Sequence, residues 1–383
     1  MATGTRNTYS DTGIIRRAIS DTLMMIDWTE APLLNKLGLS NESNFRLLNF
    51  PNTKYEWIED ELSPVAGTIN EALDASETGI DIQTGEGAYL KTGDILKIED
   101  ELMYVSSVAT DTATVVRGYA GTTGATHADD TAWERVTIAR VEGAAYTTGH
   151  TTTASVPYNH TQIIEEAIQI TRSEKKNPKY GYSDTMAYHL EKLIGGGKVG
   201  QKFRAGTLAI ALQKTFYHGM RAAGTATTSR AMGGFNQFVT TNVTDLAAAA
   251  LTRTAIEDKM SACYEAGGNP DTIVVGAWGR RKITSFYDDL VRTERSEERG
   301  GSTITTVQTD FGDLEVMYDR WCPPGELYMI ESGKMGWITY DSFNVYEHDS
   351  GGDSEVKDVV GEYGFVLCNE KAHARLHNFS VTS

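Results

Sequence analysis

Between Ile80 and about Thr137 the chain breaks into short β-prone runs punctuated by glycine and aspartate turns, and this texture constrains the fold more than any other feature. Gly93-Asp94-Ile95-Leu96-Lys97-Ile98-Glu99 leads into Leu102-Met103-Tyr104-Val105-Ser106-Ser107-Val108. Thr114-Val115-Val116-Arg117-Gly118 then precedes the turn-rich Tyr119-Ala120-Gly121-Thr122-Thr123-Gly124. Runs this short, joined by tight turns, suit antiparallel hairpins. Residues 80–138 are therefore expected to form a small all-β module of three or four strands, inserted into a chain of another class.

The flanks have a different period. Ile15, Ile19, Thr22, Leu23 and Ile26 predict a helix from about Asp11 or Thr12, ended by Ala31-Pro32 because proline disfavours helix at the residue before it. Residues 45–60, aromatic and aliphatic and then acidic, predict a strand running into an exposed loop. Beyond Tyr158, three sets lie at helical spacing: Ile163, Ile164, Ala167 and Ile170; Met186, Leu190, Leu193 and Ile194; and Leu208, Ala211, Leu212, Thr215 and Phe216. Together they predict a long basic helix broken at Gly195-Gly196-Gly197.

An α/β segment follows. Thr254-Ala255-Ile256-Glu257 reads as a capping box, with Ile256, Met260, Cys263 and Tyr264 as the apolar helix face. Next come the strand Thr272 to Trp278, a helix carrying Ile283, Phe286, Tyr287 and Leu290, and a charged surface stretch from Arg292 to Gly301. A hairpin turns around Asp310-Phe311-Gly312-Asp313. Leu327 to Ile330, Trp337 to Tyr340 and Phe365 to Cys368 read as further strands, so the class is α+β.

Charge divides along the chain. The formal total is −17. Residues 51–138 hold 17 acids and five bases, a net of −12, while residues 174–230 hold ten bases and three acids, a net of +7. A total this negative argues against a dedicated nucleic-acid grip, which needs a positive surface. Blocks of opposite sign suit a protein that packs acidic part on basic part of its own copies. Apolar stretches such as Leu246 to Leu251 fall far short of the roughly 20 residues that cross a bilayer, so no membrane partner is expected. Cys263, Cys322 and Cys368 match no metal or redox spacing, and Met1 to Arg6 holds no apolar leader. A reducing cytoplasm and buried or idle thiols are expected.

Candidate chemistry is sparse. Gly195-Gly196-Gly197-Lys198-Val199-Gly200 satisfies the dinucleotide glycine pattern but follows a helix rather than a strand, lacks an acid about twenty residues on, and reads as a helix break. His373 and His377 alternate with apolar residues in a way that places both on one solvated strand face rather than on a metal. Asp310-Phe311-Gly312 has no accompanying catalytic-loop motif and reads as a turn. No catalytic, metal or cofactor residue is assigned, and no enzyme is expected.

The order of parts resembles a branch of tailed-bacteriophage major capsid proteins with the Hong Kong 97-like fold. The resemblance rests on Lys54-Tyr55-Glu56-Trp57-Ile58-Glu59-Asp60, Tyr158-Asn159-His160-Thr161-Gln162-Ile163, the long helix, Arg230-Ala231-Met232-Gly233-Gly234-Phe235 and Thr309-Asp310-Phe311-Gly312. It implies an N-terminal arm (1–50), E-loop arms (51–79 and 139–160) and a P-domain with its spine helix (161–230 and 321–383, part of which belongs with the A-domain). It also implies an A-domain (231–320). The inserted module 80–138 and the glycine break in the spine depart from the family's usual pattern.

The same resemblance implies pentamers and hexamers of an icosahedral head enclosing double-stranded DNA without sequence-specific binding. The alternative is another virion component, such as a decoration, head-tail connector or tail-tube protein. In this fold the E-loop of one subunit lies across the P-domain of its neighbour. That implies a contact between Glu56, Trp57, Glu59, Asp60 and Glu61 on the loop and Lys175, Lys176, Lys179 and Lys192 on the spine side. Expected partners are further copies of the chain, a portal, an optional decoration protein and a scaffolding protein supplied as a separate chain, since only ten residues precede the first helix. The expected location is the virion, after synthesis in the host cytoplasm.

Overall fold

The computed structural model describes residues 31–37, 52–144, 149–196, 204–287 and 306–382. The helix expected from Asp11 and the stretch Arg292 to Gly301 lie outside them. The chain divides into two compact units, one of residues 57–157 and one comprising residues 1–56 and 158–383.

Within residues 57–157, six strands form one antiparallel sheet. They are β2 (Ala66–Thr68), β3 (Gly79–Asp81), β4 (Asp94–Ile98), β5 (Glu101–Ala109), β6 (Thr112–Val116) and β7 (Ala132–Ile138), in the spatial order β2-β7-β4-β5-β6-β3. One face buries Ile69, Ile80, Leu96, Met103, Val105 and Trp133 as a separate core. The sheet begins before residue 80, the boundary expected from texture. Ala66-Gly67-Thr68 is too short and too small to read as a strand, yet it pairs with β7, Gly67 opposite Trp133. A Cβ on Gly67 would lie 2.7 Å from the Trp133 ring, so only glycine lets this strand pass over the indole.

The glycine-rich run after β6 is ordered by a buried ion pair. All five N–H groups of the Arg117 guanidinium donate: two to Glu101 at 2.8 Å each, and one each to the carbonyls of Asp74 (2.8 Å), Glu77 (2.9 Å) and Ala125 (2.6 Å). Glu101 also accepts the backbone N–H groups of Gly118 and Ala125, both at 3.0 Å, and faces His127 Nε2 at 3.0 Å. Gly118 has φ +59°, which lets its N–H turn back onto the carboxylate.

In the other unit, a short helix α1 (Pro32–Lys36) buries Leu33 and Leu34. Strand β1 (Lys54–Glu56) pairs with β8 (Tyr158–His160), Tyr55 opposite Asn159. Gln162–Thr171, expected to be helical, is instead strand β9. Its ten residues pair without interruption with β18 (Ser354–Leu367), whose other edge carries β17 (Met335–Asp349). Ile164 and Ile170 are buried while Ile163 is half exposed, so the β-branched residues follow period two and the match to helical spacing was incidental.

The expected long helix is several pieces. Short α2 (Arg172–Lys176) precedes α3 (Thr185–Ile194) and α4 (Thr207–His218). Between α3 and α4 the strands β10 (Gly195–Gly196) and β11 (Arg204–Ala205) pair antiparallel, bringing the chain back on itself. A Cβ on Gly206 would lie 2.0 Å from the Leu193 carbonyl, so α4 starts directly beside the end of α3. Leu193, Leu208, Leu212 and Phe216 meet Trp337, Val359 and Phe365 in one core.

Helices α5 (Phe235–Phe238), α6 (Arg253–Glu265) and α7 (Ala277–Tyr287) accompany a mixed sheet. It is ordered β12-β19-β16-β13-β15-β14 and built from β12 (Val243–Asp245), β13 (Thr272–Val275), β14 (Thr306–Thr309), β15 (Gly312–Tyr318), β16 (Leu327–Ile330) and β19 (Ala374–His377). The hairpin β14–β15 turns where expected. The sheet also takes β16 and β19 from the range ascribed to the P-domain, because β13 is paired on one side by β15 and on the other by β16. Helix α6 is capped two residues earlier than the capping box suggested: Thr252 Oγ1, not Thr254, accepts from Ala255 N at 3.2 Å. Ile256, Met260 and Cys263 are buried as expected, but Tyr264 is exposed.

Candidate assembly surfaces

Two sequence motifs far apart in the chain meet at β8. Asn159 is fully buried; its Oδ1 accepts from Gly233 N at 2.8 Å, and its Nδ2 donates to the carbonyls of Gly233 (3.0 Å) and Phe365 (2.7 Å). Arg230 Nε donates to the Thr161 carbonyl at 3.0 Å, and its guanidinium pairs with Glu362, which also accepts from the Thr161 hydroxyl. Arg221 donates to the Tyr158 carbonyl at 2.6 Å and stacks 3.8 Å from the ring centroid, while Lys54 lies 4.4 Å from the same ring. Tyr55 donates to the Phe365 carbonyl at 2.8 Å, and burial pushes its hydroxyl well above the ordinary phenol range. Beyond membership of the two motifs, these residues carry no role that local sequence pattern reveals, because their partners lie far along the chain.

The acidic set expected on the loop is engaged mostly within its own chain. Glu56, on β1, pairs with Lys54. Trp57 is only 7% exposed and donates its indole N–H to Glu59 Oε1 at 2.7 Å. Asp60 Oδ1 accepts from Glu61 N at 3.0 Å and from the Thr152 hydroxyl at 3.1 Å. The outgoing and returning arms of the 57–157 unit are joined by backbone bonds from Trp57 to Pro157 (3.1 Å) and between Glu59 and Ser155 (2.9 and 2.8 Å). Among the exposed Asp60, Glu61 and Thr151 to Ser155, three large apolar side chains are also open: Ile58 is 76% exposed, Leu62 94% and Val156 53%.

The basic set is similarly occupied. Lys175 pairs with Glu355, whose carboxyl is held below its usual range by that hydrogen bond. Lys179 pairs with Glu174 at 2.7 Å and donates to the Thr185 hydroxyl. Lys192 lies 4.5 Å from the centroid of the Tyr188 ring. Lys176 is exposed at the end of α2.

The pair His373 and His377 is not a solvated strand face. His373 precedes β19 and is completely buried, with Nδ1 accepting from Glu331 N at 3.2 Å and Nε2 facing the Cys368 carbonyl at 3.3 Å. Burial holds it down to about 4, so the ring is a neutral core bridge. Cys263 and Cys322 are buried, and burial raises both thiols above their ordinary range. Among the described residues no group of three or more His, Cys, Asp or Glu is placed to hold a metal ion.

Large apolar side chains left open on a paired arm offer surface of the kind that contacts between proteins bury, and the family match makes the chain a structural subunit. The chain belongs to the SU10 major capsid protein family, whose model matches residues 2–380. It is a tailed-phage major capsid protein, a component of the virion that assembles into multimeric shells, and not an enzyme. Solved chains with a similar course come from Mycobacterium phage Ogopogo (12% identity, 97% of this chain and 99% of that chain, TM-score 0.49). Others come from Mycobacterium phage Bobi (9%, 97% and 98%, 0.49) and Mycobacterium phage Cain (10%, 99% and 100%, 0.47). No curated protein matches the chain.

Proposed function

We propose that copies of this chain form the pentamers and hexamers of an icosahedral head with a Hong Kong 97-like arrangement. In this reading the arms of the 57–157 unit are the E-loop, its six-stranded sheet is the inserted module, and the loop of one subunit lies on the P-domain of the next. The observation that carries it is the exposure of three large apolar side chains on the arms, Ile58, Leu62 and Val156, surface that a neighbouring subunit would cover.

The contact is then apolar at its centre with a charged rim. Glu56, Glu59, Asp60 and Glu61 face Lys175, Lys176, Lys179 and Lys192 across the boundary and set register more than affinity, each rim pair contributing about 1 kcal/mol or less. A portal and a scaffolding chain act with it, a decoration protein is an optional addition, and DNA is enclosed without sequence-specific binding after synthesis in the bacterial cytoplasm. Electron micrographs of the purified protein test the reading: closed shells or hexameric sheets support it, whereas tubes or small discrete particles refute it.

A further inference from the structure

A cavity of about 440 Å³ opens between the strand pair β1–β8 and the loop joining α4 to α5. Lys54, His160, Arg230, Thr225, Thr228 and Ser229 line it. The loop is closed into a fixed shape by the bridge Ala222↔Ala231 and by Thr225 Oγ1, which meets the Thr228 hydroxyl at 2.6 Å. Arg230 is anchored from behind by the Thr161 carbonyl and Glu362.

The exposed Ser229 hydroxyl and the half-buried His160 imidazole have no hydrogen-bond partner among the described residues and are open to a ligand. Cations outnumber anions around them. Lys54, Arg221 and Arg230 stand against Glu56 and Glu362, and among the described residues the Arg221 guanidinium meets the Tyr158 carbonyl and ring but no carboxylate. The field is felt at His160, which burial and then Arg221, Lys54 and Arg230 hold below its ordinary range.

We propose that this cavity is an oxyanion site that receives the carboxylate of an acidic side chain from a second copy of the chain. A volume of this size admits a whole Asp or Glu side chain. An ammonium, a guanidinium and a hydroxyl line it, the donor types that hold a carboxylate. The source favoured is protein rather than nucleic acid. The chain carries 52 acids, with a net of −12 over residues 51–138, so carboxylates are presented by every neighbour. A polyanion would meet the whole −17 surface to place one phosphate in the cavity. The proposal rests on the shell-forming reading above, and His160 reports on the two separately.

The test uses full-length protein labelled at the histidine rings, with His160 assigned by His160→Gln, titrated by NMR as free subunits and as assembled shells. Inorganic phosphate is the probe. In free subunits, phosphate is expected to raise the His160 midpoint by about one pH unit, because a bound anion favours the imidazolium. Lys54→Gln is expected to weaken that response at least about threefold, and Ser229→Glu to reproduce it without phosphate. In shells the midpoint is expected to be raised already and insensitive to phosphate.

A midpoint that stays low in shells seen intact by micrograph overturns the neighbour as occupant while leaving assembly standing. A larger response to a single-stranded oligonucleotide than to phosphate overturns it in favour of nucleic acid. No response to phosphate in free subunits overturns the site itself. Failure of shells to form, with the phosphate response present, overturns the shell-forming reading and the second-copy occupant together but leaves an anion site.

Discussion

Asn159 and Gly233 grip each other through both halves of an amide, Oδ1 accepting from Gly233 N at 2.8 Å and Nδ2 donating to Gly233 O at 3.0 Å. The same Nδ2 reaches the Phe365 carbonyl, so one side chain ties β8, the segment before α5 and β18. Every partner is buried, and water is not at hand to replace the amide. Asn159→Ala should cost about 2 to 3 kcal/mol. Asn159→Asp should cost more, because it sets a carboxylate against two carbonyl oxygens. Urea denaturation of free subunits measures both; equal losses would show that packing rather than the amide's polarity matters.

Tyr55→Phe is the contrasting case. The Phe365 carbonyl keeps the Asn159 donor when the phenol is lost, so the cost should be about 1 kcal/mol. In Asn159→Ala the same carbonyl keeps Tyr55. The double variant leaves it with neither, and a cycle measured in urea should show coupling of about 1 kcal/mol.

How much of this could be seen beforehand differs by element. The β texture after Ile80, helix α3, the apolar face Leu208, Leu212 and Phe216, strand β13 and the hairpin β14–β15 were legible because local pattern and final environment agree there. Strand β9 was not. Three β-branched isoleucines and Ala167 happen to fall at offsets that also fit a helix, and only pairing with β18, far along the chain, selects period two. Gly67 and Trp133 illustrate the same blindness: a three-residue strand is defined by the ring it crosses. For the surface, charge was counted correctly, but whether a cation is spent inside its own subunit depends on tertiary neighbours. Lys175 meets Glu355 across 180 residues of sequence.

Glu101 makes the 57–157 unit acid-sensitive. Burial alone would raise its carboxyl, but the hydrogen bonds from Arg117, Ala125, Gly118 and His127 together outweigh that and bring it down to about 2. For a carboxyl depressed on folding, stability is fully present above the unfolded value near 4.5 and is lost as pH falls through the folded value. The loss should therefore run from about pH 5 to pH 2 and amount to about 3 kcal/mol. Glu101→Gln should remove most of that dependence while costing stability at pH 7. Hydrogen exchange of β5 and β6 in the full chain checks it, and identical pH profiles for the two proteins would sink the assignment.

Leu62 separates assembly from folding. At 94% exposure it contributes almost nothing to its own subunit, so Leu62→Ser should leave urea stability within about 0.5 kcal/mol. Covered by a neighbour, a leucine side chain is worth about 1.5 to 3 kcal/mol per contact, a factor of about ten or more in association. The threshold concentration for shell formation by light scattering should rise accordingly. By contrast Lys175→Gln should shift that threshold little and mainly reduce its dependence on salt, since its charge is already shared with Glu355.

Asp319 behaves oppositely to Glu101. It is fully buried where α4 meets the loop after β15, accepting from Gln213 Nε2 at 2.6 Å, from the Tyr217 hydroxyl and from Trp321 N at 2.9 Å. Burial raises its carboxyl despite these three donors. A carboxyl raised on folding binds its proton more tightly in the native state, so its contribution favours folding below the folded value and is lost as pH rises through it. The Gln213 Oε1 beside it is buried without a hydrogen-bond partner among the described residues. Asp319→Asn removes the buried charge, keeps an acceptor for Trp321 N, and supplies two N–H groups that a rotated Gln213 amide and the Tyr217 hydroxyl oxygen can accept. It should therefore lie within about 1 kcal/mol of the parent at pH 7, whereas Asp319→Ala, which strands the Gln213 and Tyr217 donors, should lose about 3 kcal/mol. Urea denaturation of free subunits at pH 7 and pH 4.5 tests both halves: the asparagine variant should lose ground to the parent on acidification, and an advantage that grows instead would mean that the carboxylate is ionised and stabilising in the fold.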